Sequence, residues 1–218
     1  AALVAGAVLS TLSTSRAELN PTKEDQDWMC LAKKMCRALL LSSFALEVFC
    51  IFVSTVTGTM LLSHGDIPSG VHAGVHYHSP MGFLNHNHEF EYLTSRVTFL
   101  QGLLNWLLAV ALETYIPNKD EGVAARKLNV FISSSLVSII IVIIKFYNDH
   151  MTFYSNYGEM LWRYVCVTFT RFFWTWPLRP LSLIAIPWIG FSIYSGWVAF
   201  SCPPEAEDDE ETAVTTQK

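Results

Sequence analysis

Charged residues are scarce in this chain, since Asp, Glu, Lys and Arg make up 15% of its 218 residues and hydrophobic residues make up 51%. An ordinary soluble domain carries about 25% charged residues. The apolar residues are also clustered into long runs, and about 20 of them in a row suffice for one helix to cross a bilayer. The composition therefore excludes a large soluble domain. It predicts an all-α, multi-pass integral membrane bundle with about four transmembrane helices in contact with lipid.

Several functional signatures are absent from the sequence. There is no basic cluster of the size that nucleic-acid binding requires, and the net charge is −5. No nucleotide-binding glycine loop, HExxH helix or Ser-His-Asp pattern occurs, so the sequence does not predict an enzyme. The cysteines form no CxxC pair, which favours their interpretation as small apolar residues. They are Cys30, Cys36, Cys50, Cys166 and Cys202.

The apolar runs divide the chain into segments. Spans are predicted at about 38–62, 92–116, 126–147 and 180–202, and a histidine-rich loop is predicted at 63–91. Residues 148–179 are dense in Tyr, Trp and Phe, which indicates an interfacial helix. Residues 1–37 are predicted to form an N-terminal helix and a basic, polar linker, and 203–218 an acidic disordered tail.

The first twelve residues, AALVAGAVLSTL, are interpreted as an ordered helix, with the end of a targeting peptide as the alternative. Ala2, Gly6 and Ser10 recur every four residues, so they lie on one face of a helix. Small side chains on one face let membrane helices approach closely.

The distribution of basic residues predicts which loops share a side of the membrane. Lys33, Lys34 and Arg37 precede the first span, the histidine-rich loop has no Lys or Arg, and 118–127 is basic again. The histidine-rich loop is therefore expected on the opposite side from these basic segments. Alternation of spans puts 145–179 on the side of the loop, although this segment carries basic residues and so conflicts with the rule.

The histidine-rich loop holds six of the seven histidines. Neutral imidazole is a common ligand of zinc and copper, so a divalent metal ion is a candidate cofactor. A hydrogen-bonded loop without metal, a pH-sensing site, and ligation of a porphyrin-type pigment by one histidine are the alternatives. The candidate metal ligands are His72, His76, His78, His86, His88 and Glu89.

Glu47 and Glu113 lie within or at the edge of predicted spans, where a charge costs several kcal/mol unless it faces a partner, a cavity or water. Both are candidates for an ion pathway. The alternative is a structural ion pair with Arg37, Arg96 or Lys145, or a protonated acid. Gln101 and Asn105 are four residues apart, so they share a helix face and are expected to bond across helices.

Three stretches resemble Orai-type calcium channels. RALLLSSFALEV at 37–48 is similar to the start of the family's pore helix, and VIIKFYNDH at 142–150 is similar to the close of its last core helix. HEFEYLTSRVTFLQGLLNWLLAVALE at 88–113 resembles a middle helix. In a second alignment, 1–12 ends the pore helix and 38–62 is the next helix. The resemblance implies a homo-oligomer with a central ring of helices and calcium as the ion, but Glu47 follows Phe44 too closely to be assigned as the selectivity residue.

Two functions follow as expectations. The first is an oligomeric channel or transport protein for cations, with calcium implied by the resemblance. The second is a non-catalytic accessory subunit of a larger photosynthetic or respiratory membrane complex. The corresponding locations are the plasma membrane or an organelle such as the chloroplast.

Overall fold

The computed structural model describes residues 1–15, 19, 26–64, 88–117, 121–174 and 180–201. The described residues form an all-α bundle, which confirms the predicted fold class. Four helices are long and apolar enough to cross a membrane. The helices are α1 (Ala2–Ser15), α2 (Asp27–His64), α3 (Glu89–Tyr115), α4 (Val123–Asp149), α5 (Tyr157–Phe169) and α6 (Pro180–Ser201), with a π-helical turn at Thr170–Trp174.

Helix α2 is longer than its apolar part. It has 38 residues and begins at Asp27, whose carboxylate lies in the first turn where the helix dipole favours a negative charge. The predicted span 38–62 therefore lies inside a helix that starts earlier and includes the basic residues Lys33, Lys34 and Arg37. At 1.5 Å per residue the helix is about 57 Å long. Because the hydrocarbon layer is about 30 Å thick, the basic end of α2 extends beyond it.

The antiparallel pair α2 and α3 is joined by small side chains that donate to backbone carbonyls. Cys36 Sγ donates to the Ala109 carbonyl at 3.3 Å. Ser43 Oγ donates to the Gly102 carbonyl at 2.6 Å, and Cys50 Sγ donates to the Ser95 carbonyl at 3.3 Å. Successive contacts are seven residues apart along both helices. A seven-residue repeat is the period of left-handed helix packing, so these contacts fix the register of the pair.

The buried face of α2 has the same repeat. From Cys36 to Cys50 its positions alternate by four and three residues, as the contact positions of a coiled coil do. Small residues at most of these positions allow the backbones of α2 and α3 to approach closely. The buried residues of α2 are Cys30, Cys36, Leu40, Ser43, Glu47, Cys50, Val53 and Thr57.

Helix α1 lies against both α2 and α3. Val8 is fully buried in a cluster with Leu40 and Ala109. Trp106 Nε1 of α3 donates to Thr11 Oγ1 at 3.4 Å. The N-terminal helix predicted from the sequence is therefore a packed element of the bundle.

Helices α4 and α6 cover little of the bundle. Ser133 of α4 is buried, and its Oγ donates to the Ala111 carbonyl at 2.8 Å. Most apolar side chains of α4 face outward. Along α6, large apolar side chains such as Trp188 and Trp197 are exposed at 70% and 74%. Lys34 Nζ donates to the Ala199 carbonyl at 2.9 Å, so α6 ends near the basic end of α2.

Helix α5 packs along the first half of α3. Tyr157 and Met160 join a core cluster that includes Leu93 and Val97 of α3. Its first turn is capped by Asn156, whose side chain accepts a hydrogen bond from the Glu159 backbone N–H at 2.8 Å. The aromatic segment predicted as interfacial thus forms a helix docked on α3.

Candidate functional site

The candidate site is the buried carboxylate of Glu47, where α2 packs against α3. The side chain of Glu47 is 0% exposed. It lies on the same buried face of α2, between Ser43 and Cys50, in the apolar part of the helix. The acid therefore faces the inside of this bundle and not the lipid.

Gly102 of α3 has no side chain, and Glu47 occupies the space that a side chain there would take. A Cβ atom built at position 102 would lie 2.8 Å from Glu47 Oε1 and 3.1 Å from its Cγ. A side chain at this position would therefore force Glu47 to shift, with the end of its carboxylate moving away and its Cγ giving way by a few tenths of an ångström. The close approach of the carboxylate favours glycine here.

Both carboxylate oxygens of Glu47 lack a hydrogen-bond partner among the described residues. The backbone nitrogen of Ala1 lies 3.9 Å from Oε2, which is beyond hydrogen-bonding distance. Within the described residues no ion pair joins Glu47 to the basic side chains considered above. Arg96 instead lies over the ring of Tyr92, 5.1 Å from its centroid.

Glu113, the second candidate acid, lies at the other end of α1. Its carboxylate accepts a hydrogen bond from Ser15 Oγ, at the last residue of α1. Ala1 is beside Glu47 at the first turn, so the structure brings both acids to the same short helix. At 1.5 Å per residue they are separated by about 21 Å along α1.

A chain of directed hydrogen bonds crosses the bundle beside Glu47. Tyr157 Oη donates to Gln101 Oε1 at 2.8 Å, and Gln101 Nε2 donates to Asn105 Oδ1 at 2.8 Å. Asn105 Nδ2 then donates to Ser42 Oγ at 3.1 Å, and Ser42 Oγ to the Leu39 carbonyl at 2.9 Å. The bond across helices predicted for Gln101 and Asn105 is confirmed, and the chain links α5, α3 and α2.

The phenol at the start of this chain is held in its neutral form. Burial, and secondarily the neighbouring Tyr147, raise the pKa of Tyr157 to about 12. Tyr157 therefore remains a hydrogen-bond donor to Gln101 over the physiological pH range.

The predicted metal site falls mainly outside the described residues, which include neither His72, His76, His78 nor His86. Among the residues that are described, no three His, Cys, Asp or Glu side chains come together as a metal site. Glu89 is engaged by Arg163 through two hydrogen bonds of 2.7 and 3.0 Å. A metal ion at Glu89 would have to compete with this arginine.

Ion pairs join α5 and the π-helical turn to the start of α3. Arg163 pairs with Glu89, and Arg171 Nη1 lies 2.9 Å from Glu91 Oε1. Arg171 also lies over the ring of Phe90, 4.5 Å from its centroid. These contacts hold α5 and the π-helical turn against the start of α3. Two of the basic residues of 145–179 are thus paired with acids, and the side of the membrane on which this segment lies stays a prediction.

Sequence reasoning missed Ser42, Ser43, Gly102 and Tyr157 as parts of this site. The seven-residue spacing of Cys36, Ser43 and Cys50 is a signal that could have found the α2–α3 contact. No comparable pattern marks Gly102, because its role depends on which residue of α2 it faces.

Comparison with known proteins adds no assignment: no family model matches the chain, and neither a curated protein nor a solved structure gives a match.

Proposed function

We propose that this chain is a subunit of a membrane protein that conducts or transports cations, with Glu47 as the residue that responds to the ion. The observation that carries the proposal is the complete burial of Glu47 without a hydrogen-bond partner among the described residues. A carboxylate without a hydrogen-bond partner inside a membrane bundle costs several kcal/mol, and such groups are functional candidates by default. A cation or a proton beside the carboxylate removes this cost.

Helix α1 supports a pathway along its length. Glu47 and Glu113 lie at its two ends, and a cation that moves along α1 would meet one acid and then the other. The outer face of α1 carries exposed small residues at Ala2, Gly6 and Ser10. Small residues favour contact with another helix in a membrane, so a second copy of the chain fits this face. The proposed assembly is a homo-oligomer with the α1 helices around its axis, and calcium is the ion that the Orai-type resemblance implies.

The test is cation flux through the purified full chain in liposomes. Glu47→Gln preserves the shape of the side chain and removes its charge. We expect flux to fall about tenfold or more, because tenfold corresponds to about 1.4 kcal/mol and loss of one partner from a buried charge pair costs more than that. Asp149→Asn is the matched control, since this acid is exposed at the end of α4. Equal flux in Glu47→Gln and the unchanged chain would refute the role of Glu47.

The second function, an accessory subunit of a larger membrane complex, is favoured by the broad outward apolar surfaces of α4 and α6. Native mass measurement in mild detergent separates the two proposals. Co-migration with foreign subunits, together with no flux in either form of the protein, would support the accessory role. A discrete assembly of this chain alone would support the transport role.

A further inference from the structure

An open cleft lies between α5, the π-helical turn and the start of α3. It has a volume of about 390 Å³ and is lined by Glu89, Arg163, Cys166, Val167, Thr170 and Arg171. Two of these residues are arginines and one is an acid, and Glu91, which is not part of the lining, pairs with Arg171. The cleft is separate from Glu47.

Both arginines retain donors that face no acid. Arg163 uses Nε and Nη2 for Glu89, and Arg171 uses Nη1 for Glu91. The Nη1 group of Arg163 and the Nε and Nη2 groups of Arg171 make no hydrogen bond within the described part of the chain. The two side chains are 54% and 49% exposed, so these donors can reach a ligand in the cleft.

The cleft adjoins the end of a candidate membrane span. It is at the first turn of α3, where the membrane-spanning segment begins after the polar loop. Large apolar side chains point outward beside it, including Trp162 at 70% exposure and Phe169 at 55% exposure. Aromatic residues with this exposure collect at the membrane interface. A ligand with a charged head and apolar chains therefore matches the surroundings of the cleft.

From this placement we propose that the cleft binds the phosphate of an anionic phospholipid, with Arg163 and Arg171 as the phosphate donors. Guanidinium groups bind phosphate oxygens through paired N–H donors. Basic pockets between membrane helices recognise lipid headgroups in the same way. The acyl chains would run beside Trp162 and Phe169. Glu89 and Glu91 hold the two guanidinium groups in position and lower the net charge that the phosphate meets. The inference does not depend on the transport role of Glu47.

The experiment measures retained lipid. The full chain is purified from nanodiscs of phosphatidylcholine and phosphatidylglycerol, and native mass spectrometry counts the phosphatidylglycerol that stays bound. Each arginine near a membrane surface contributes about fivefold to anionic lipid binding. Arg163→Gln and Arg171→Gln should each reduce retention by about this factor. Arg126→Gln, on the exposed surface of α4 near its start, should leave retention unchanged.

Glu89→Gln tests whether Arg163 binds the lipid or serves only as the ion-pair partner of Glu89. This change removes an acid that competes for Arg163 but leaves the arginine in place, so retention of phosphatidylglycerol should increase. If Arg163 acted only as the partner of Glu89, both variants would lose lipid equally, and that result would overturn the proposal. Displacement of the lipid by millimolar inorganic phosphate would also overturn it, because the site would then recognise the free anion.

Discussion

Replacing Gly102 with alanine tests whether Glu47 packs against this position. The new Cβ atom would lie 2.8 Å from Glu47 Oε1, well inside van der Waals contact. Overpacking of a well-packed site costs about 1–3 kcal/mol. The better helix propensity of alanine offsets about 1 kcal/mol of this. Gly102→Ala should therefore be destabilised by up to about 2 kcal/mol.

Gly58→Ala is the matched control on α2. A Cβ atom at position 58 meets nothing within 4 Å. This variant carries the gain in helix propensity without the clash, so the difference between the two variants isolates the steric cost. Free energies of unfolding can be measured by steric trapping in bicelles.

The double variant identifies the atom that clashes. Glu47→Ala removes Oε1 and Cγ, so Gly102→Ala should cost much less in its presence. A coupling free energy of about 1 kcal/mol or more is expected for residues in contact. If the two changes are additive, or if Gly102→Ala is as stable as Gly58→Ala, then Glu47 does not occupy the space at Gly102.

Two further predictions concern the polar chain and the topology. The free energy of unfolding should fall as the pH rises from about 10 to about 12. The reason is that the pKa of Tyr157 is raised to about 12 in the folded chain, whereas the phenol of the unfolded chain ionises near 10. Tyr157→Phe should remove this component, and an unchanged pH profile of stability in that variant would contradict the assignment. Cysteines introduced at Ser79 and Asn118 should be labelled by membrane-impermeant reagents from opposite faces of oriented vesicles. Labelling of both from one face would refute the predicted topology.

The burial of Glu47 illustrates the limit of sequence reasoning here. Its position in an apolar run was sufficient to predict that a charge there is costly and needs an environment inside protein. The sequence offered Arg37, Arg96 and Lys145 as partners. The structure instead packs Glu47 against Gly102, because the α2–α3 register is set by Ser43 and the two cysteines on either side of it.

Arg163 of α5 and Arg171 of the π-helical turn show the same limit of sequence reasoning. Their number conflicted with the distribution of charge expected for the side of the histidine-rich loop. Only the docking of α5 on α3 brings Arg163 to Glu89 and Arg171 to Glu91, which are separated by 74 and 80 residues in the chain. Sequence spacing cannot reveal pairs of this kind.

The sequence by itself determined that this is an all-α membrane protein, because a hydrocarbon layer requires long apolar helices and the apolar runs have that length. It also placed Gln101 and Asn105 on one helix face, since a residue and the fourth after it are neighbours in any α-helix. Tertiary structure alone decided which residues of α2 face Gly102 and which end of α1 meets each acid. Those contacts depend on the register between helices, and register is a property of packing rather than of local sequence.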